Sequence, residues 1–149
     1  MKEMRKILVP VDFSENSTKL LQHAVDMAGK SGANIVVVYV VEGLDKYSGL
    51  SIPHISLTEV EKELVQSAKS KMELFLEENL EPSVPHEGVV LNGDIVEEIN
   101  NFAANEGVDM IIMGTHGYKG LEKIVFGSVA ERIVKTAPCP VLTCNPYKE

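Results

Sequence analysis

Three observations predict an α/β fold built on a single open five-stranded parallel sheet with helices on both faces. Short β-branched runs alternate with segments whose apolar residues recur at helical spacing. The strand-like runs Ile7 to Val11 and Ile35 to Val41 are continuously apolar, which marks strands covered on both sides. Nothing along the chain reads as a linker, repeat or low-complexity stretch, so residues 1–149 are expected to form one domain. The resulting β-α-β-α-β-α-β-α-β pattern implies right-handed crossovers and a doubly wound sheet.

The first run, Ile7-Leu8-Val9-Pro10-Val11, has the length and composition of a buried strand. Asp12-Phe13-Ser14 ends it. Ser14 suits the N-cap of a helix from Glu15 to about Lys30, with Leu20, Leu21, Ala24, Val25 and Ala28 on its inner face. Ser31-Gly32-Ala33 closes that helix, and Ile35 to Val41 is the second strand. Glu42 to Ser56 reads as a long connection, the kind that tends to carry function or motion. Thr58 is expected to cap a helix reaching Asn79, with Val60, Leu64, Ala68, Met72, Phe75 and Leu76 as its stripe. Pro82 and Pro85 stop it. Glu87 to Leu91 is a third strand, and Asn92-Gly93-Asp94 turns into a helix from Ile95 to Asn105, with Ile99, Phe102 and Ala103 inward. Val108 to Met113 is the fourth strand and Gly114 to Gly120 a glycine-rich turn. A helix from about Ser128 to Thr136 and a last strand, Val141 to Cys144, complete the chain.

The composition is that of an ordinary globular protein, 44% hydrophobic and 24% charged. A formal net charge of −8 repels phosphate backbones, which argues against general nucleic-acid binding. It leaves room for one nucleotide, because backbone N–H groups can hold phosphate without cationic side chains. Cys139 and Cys144 lie five apart around the last strand, an odd spacing that sends them to opposite faces, so a mutual disulfide is not expected. His23, His54 and His86 are scattered and build no metal-ligand spacing with the cysteines. Met1 to Lys6 is charged and runs straight into a strand, and no 18-residue apolar run follows. No membrane association and a cytoplasmic location are therefore expected.

In an open parallel sheet, ligands sit beyond the carboxyl ends of the strands where the winding reverses. With strand order 3-2-1-4-5 that point lies between strands 1 and 4, whose ends are Pro10-Val11-Asp12 and Met113-Gly114-Thr115. In the stretch from Gly114 to Ser128, Gly114 and Gly117 let the backbone turn sharply and approach a ligand. Gly127-Ser128 is expected to open the next helix, whose free N–H groups would make an anion site. A plain strand-to-helix turn explains the same residues without a ligand. The G-x-x-x-x-G-K-[ST] loop is absent, as is a G-x-G-x-x-G after the first strand.

Gly-x-x-Gly, nine residues, then Gly-Ser resembles the ATP-binding signature of the universal stress protein family, matched here by Gly114, Gly117, Gly127 and Ser128. The opening Ile7 to Ser14 and the closing Pro138-Cys139-Pro140-Val141-Leu142 are similar to that family as well, so the resemblance spans essentially the whole chain. It implies a flavodoxin-like, Rossmann-like sheet of order 3-2-1-4-5, of the adenine nucleotide α-hydrolase-like kind. It further implies that Asp12 faces the adenosine, that Pro10 and Val11 shape its pocket, and that Val40 packs on adenine and offers backbone hydrogen bonds. By the same resemblance Met113 and Gly114 line the ribose side, His116 and Gly117 approach the phosphates, and Gly127, Ser128 and Val129 cradle them. An Mg²⁺ or Mn²⁺ ion would accompany ATP, held mainly by the nucleotide. Ala130 departs from relatives that carry threonine there, which removes one possible phosphate contact.

Alternatives stay open for single residues. Asp12 also fits a cap of the first helix or of the turn, His116 an exposed loop residue, and Lys119 and Lys123 either phosphate screening or a solvated face. The function expected is a nucleotide-dependent regulatory stress-response protein that binds ATP, or ADP or AMP. Hydrolysis needs a positioned base, and His116 is the one candidate near the phosphates, with neither an arginine nor a Walker-type lysine in the motif. Slow ATP hydrolysis at most is expected. A dimeric interaction module with a vestigial site is a third possibility, against which the intact glycine spacing argues. The last strand, Val141 to Cys144, is expected at a sheet edge, where antiparallel pairing with a second copy gives a homodimer.

Overall fold

The computed structural model describes residues 3–42, 54–115 and 122–147. The elements run β1 (Lys6–Pro10), α1 (Glu15–Ser31), β2 (Asn34–Glu42), α2 (His54–Asn79), β3 (His86–Gly93), α3 (Ile95–Asn105), β4 (Met110–Gly114), α4 (Glu122–Thr136) and β5 (Val141–Cys144). All pairings in the sheet are parallel, in the order β3-β2-β1-β4-β5. The expected fold and order are therefore present.

The continuous apolar runs behave as two-sided strands. Ile7 and Val9 point into a core with Leu20, Leu21 and Ala24 of α1 and Met72 and Phe75 of α2. Leu8, between them, points to the other face, against Ile99 of α3 and Ile133 of α4. Each such fully buried side chain contributes about 1.5–3 kcal/mol of transfer free energy, which offsets the roughly 1–2 kcal/mol of entropy lost in fixing each backbone unit.

Helix ends follow local chemistry. Gly32, at φ 76°, closes α1 in the left-handed conformation with its N–H on the Ala28 carbonyl at 2.7 Å. Asp94 caps α3, its carboxylate accepting from the Glu97 N–H at 3.0 Å.

Some details of the expected elements differ in the structure. Thr58 is not a cap, since α2 begins at His54. Val108 does not open β4, because its N–H closes the end of α3 on the Ala103 carbonyl at 3.0 Å. Ser14 holds the N-cap position of α1, but its side chain makes no capping hydrogen bond. The helix expected from Ser128 starts at Glu122 instead, so Gly127 and Ser128 lie within α4 rather than at its start. From Glu122 to Ser128 the sequence has no proline and one glycine. One interior glycine costs about 1 kcal/mol, too little to force a helix start there. Among the described residues no helix is long and apolar enough to cross a membrane.

Candidate functional site

The winding reverses between β1 and β4, and Pro10 opens a gap at that point. The two strands pair at Ile7↔Met110 and Leu8↔Ile111. Continuing the ladder would take an N–H from residue 10, and proline has none. Beyond it, Val11-Asp12-Phe13 on one side and Gly114-Thr115 on the other are the two lips of the place where an open parallel sheet leaves a crevice.

Below the lips, β2 overruns β1. The Val11 N–H donates to the Val38 carbonyl at 2.9 Å, where the pairing of β1 with β2 ends. Successive residues of a strand turn their polar backbone groups to opposite edges, so Val40 faces the same edge as Val38. Val40 therefore aims its N–H and C=O past the end of β1, with no backbone partner among the described residues. The residue is 7% exposed. Backbone polar groups left in this way on a nearly buried residue call for a ligand or an ordered water.

The β1 lip is fixed by side chains. Oδ1 of Asp12 accepts from the Ser14 N–H at 3.0 Å, from Ser14 Oγ at 2.5 Å and from Ser17 Oγ at 2.7 Å. The Asp12 N–H in turn donates to Ser17 Oγ at 2.9 Å. Oδ2 takes no hydrogen bond from the described residues and stays available. The turn-bracing role of Asp12 and its availability to a ligand thus use different oxygens. Ser17 is 4% exposed and is the buried polar residue that anchors the turn. Phe13 sits at φ 65°, a left-handed conformation that costs a bulky residue about 1–3 kcal/mol. Its ring stacks on Tyr39 with centroids 4.6 Å apart and meets Phe75 edge-on at 5.5 Å. Sequence reasoning missed Phe13, Tyr39 and Ser17. The spacing Asp12-x-Ser14-x-x-Ser17, a carboxylate followed by hydroxyls two and five residues on, was the available signal for the last.

The β4 lip is fixed by backbone. Gly114 is buried and ends the strand opposite Cys144. The Thr115 N–H donates to the Cys144 carbonyl at 2.9 Å, and its hydroxyl reaches the same oxygen at 3.4 Å.

The other expected site residues fall as follows. Pro10 and Val11 are buried at the mouth of the gap. Met113 is 0% exposed, its side chain in the α3/α4 core, so it supports Gly114 rather than facing the crevice. Val129 packs in the same core from α4. His116 and Gly117 lie outside the described residues. Gly127 and Ser128 are within α4, where backbone N–H groups are spent on the helix ladder, so the expected helix-start anion site is not formed there. Cys139 and Cys144 are free thiols, both held above the ordinary value chiefly by burial, with the Asp109 carboxylate adding to the shift at Cys139.

Residues 3–145 match the model of the universal stress protein family. The chain belongs to that family. Among curated members it is 37% identical to the universal stress protein MJ0531 of Methanocaldococcus jannaschii, over 97% of this chain and 85% of the relative. It is 33% identical to MJ0577 of the same organism, over 93% of each chain. A solved structure of MJ0577 superposes with a TM-score of 0.80, at 31% identity and 97% coverage of both chains. A universal stress protein from Archaeoglobus fulgidus, solved in complex with dAMP, shares the fold at a TM-score of 0.59 and 23% identity, covering 95% of this chain and 98% of that one.

Proposed function

We propose that this universal stress protein binds an adenine nucleotide, ATP before ADP or AMP, in the crevice between β1 and β4. The observation that carries the reading is Val40, a nearly buried residue whose N–H and C=O face the crevice with no backbone partner among the described residues. Adenine presents an acceptor, N1, beside a donor, its exocyclic amine, and one strand residue with both groups free meets both. Oδ2 of Asp12 supplies the acceptor for a ribose hydroxyl or the base amine, and Pro10, Val11 and Gly114 wall the adenosine. The resemblance of Gly114, Gly117, Gly127 and Ser128 to the family's ATP signature supports the ligand. The dAMP complex of the Archaeoglobus relative is a fold neighbour, and its ligand is of the same chemical class.

The phosphates then run toward His116, Gly117, Gly127, Ser128 and Val129. Because Gly127 and Ser128 lie inside α4, their N–H groups become available only when the helix opens from Glu122 to Phe126. End turns of helices fray readily, so the cost is small beside a phosphate contact. Among the described residues no three His, Cys, Asp or Glu side chains group as a metal site, and an Mg²⁺ or Mn²⁺ ion would arrive on the phosphates.

Occupancy that selects the opened form of α4 changes the surface beside it, which gives a cytoplasmic protein partner something to read. The role is regulatory, with hydrolysis slow at most. Assembly follows from the edge strand β5. The carbonyls of Pro140 and Cys144 accept from Ile111 and Thr115 on the β4 side, so by alternation Val141 and Thr143 turn their polar groups outward. Val134 at 55% exposure and Tyr147 at 58% add apolar surface on the segments flanking β5. Antiparallel pairing of two such edges makes a two-fold homodimer.

Titration calorimetry with ATP and Mg²⁺ on the unmutated chain and on Gly114→Val tests the site. Binding by the first and none by the second is expected. Equal affinity in both rejects the crevice, and binding by neither rejects the function.

A further inference from the structure

We propose that Phe13 is the positioning residue of the adenosine end of this site, a role that rests on the nucleotide reading above. A left-handed phenylalanine is a costly way to make a turn that glycine or asparagine makes readily. It persists here because its surroundings over-determine it. Tyr39 of β2 stacks on one face of the ring at a 23° interplanar angle, and Phe75 of α2 meets it at 68°. On the other side of the turn, Ser14 and Ser17 pull Oδ1 of Asp12 toward α1.

The consequence is directional. Asp12 and Phe13 are adjacent, so the carboxylate and the ring leave the chain on either side of one fixed peptide unit. With the ring pinned against the α1/α2 core, that unit cannot rotate, and Asp12 is held with one oxygen engaged and the other free. Tyr39 is the neighbour of Val40 in β2. The ring stack therefore ties together the two groups that would read the adenosine, the Asp12 carboxylate and the Val40 backbone. Phe13 touches no ligand in this arrangement. It sets the spacing between two groups that do.

Three proteins separate positioning from mere stability: the unmutated chain, Phe13→Gly and Phe13→Tyr. Glycine accepts the left-handed turn but has no ring to clamp, whereas tyrosine keeps the ring. ATP affinity with Mg²⁺ is measured by calorimetry and the exchange rate of the Ser14 amide proton by NMR. Phe13→Gly is expected to bind ATP about tenfold or more weakly, as for a lost charge-assisted hydrogen bond, and to lose protection at Ser14. The exchange of Ile7, Leu8 and Val9 in the central strand should stay slow, and Phe13→Tyr should restore both readouts. If Phe13→Gly does not fold, Tyr39→Leu removes the stacking partner and is expected to give the same paired loss. Unmutated ATP affinity in the ring-less or stack-less variant overturns the proposal, as does weakened binding with Ser14 still protected. Absence of ATP binding by the unmutated chain overturns the nucleotide reading itself, and the role of Phe13 with it.

Discussion

The two lips of the crevice are built in opposite ways. The β1 lip is held by side chains: a carboxylate caught by two serines, and a strained phenylalanine clamped by two aromatic rings. The β4 lip is held by main chain, with Gly114 buried in the ladder and the Thr115 N–H tied to the edge strand. A lip that must present a charged group in a set direction needs specific side chains around it. A lip that must stay out of a ligand's way needs only a backbone without a β-carbon. Substitution should therefore be costly on the β1 side at several positions, and on the β4 side chiefly where it adds bulk.

The largest effect that would sharpen this contrast is Asp12→Ala. It removes the acceptor of three hydrogen bonds at a half-buried turn, and a loss of about 2–3 kcal/mol in urea unfolding is expected. Asp12→Asn should recover part of the stability, while nucleotide affinity stays low for want of the charge. Next comes Ser17→Ala, which deprives Asp12 of one donor and its N–H of an acceptor, with an expected loss of about 1–2 kcal/mol by the same measurement. On the β4 lip the Thr115 N–H bond to the Cys144 carbonyl belongs to the main chain and survives substitution of the side chain.

At the sheet edge, Val141→Pro removes an outward donor and leaves the inward ladder of β5 intact, so sedimentation should show a dimer for the unmutated chain and a monomer for the variant. A stable unmutated monomer would end the dimer proposal. The smallest effect concerns the thiols. Both are shifted above the ordinary value of 9.0, so the folded chain holds those protons more tightly than the unfolded one. Their contribution to stability is full below pH 9 and is lost as pH rises through the folded values. Iodoacetamide labelling at pH 8 should accordingly be slower in the folded chain than in urea, and should quicken with alkali.

Much of this architecture was legible in the residues. Two-sided apolar strands showed themselves as unbroken runs, Asp94 announced the start of α3, and Pro10-Val11-Asp12 stood where the crevice is. What stayed hidden depends on contacts distant in sequence or on small energy differences. The left-handed Phe13 follows from rings on β2 and α2, which no local pattern reports. Val108 looked like strand because it is apolar and β-branched, yet its N–H finishes α3. The start of α4 turns on a single glycine worth about 1 kcal/mol, below what a spacing motif can decide. That the Val40 backbone lacks a backbone partner among the described residues emerged only once the register of β1 on β2 was known.

The crevice between β1 and β4 is proposed to hold an adenine nucleotide. Native mass spectrometry of the chain with and without millimolar ATP and Mg²⁺ tests it most directly. A mass increase of one nucleotide per chain is expected for the unmutated protein and none for Gly114→Val. An unmutated chain that stays at its own mass in saturating ATP, ADP and AMP would contradict it.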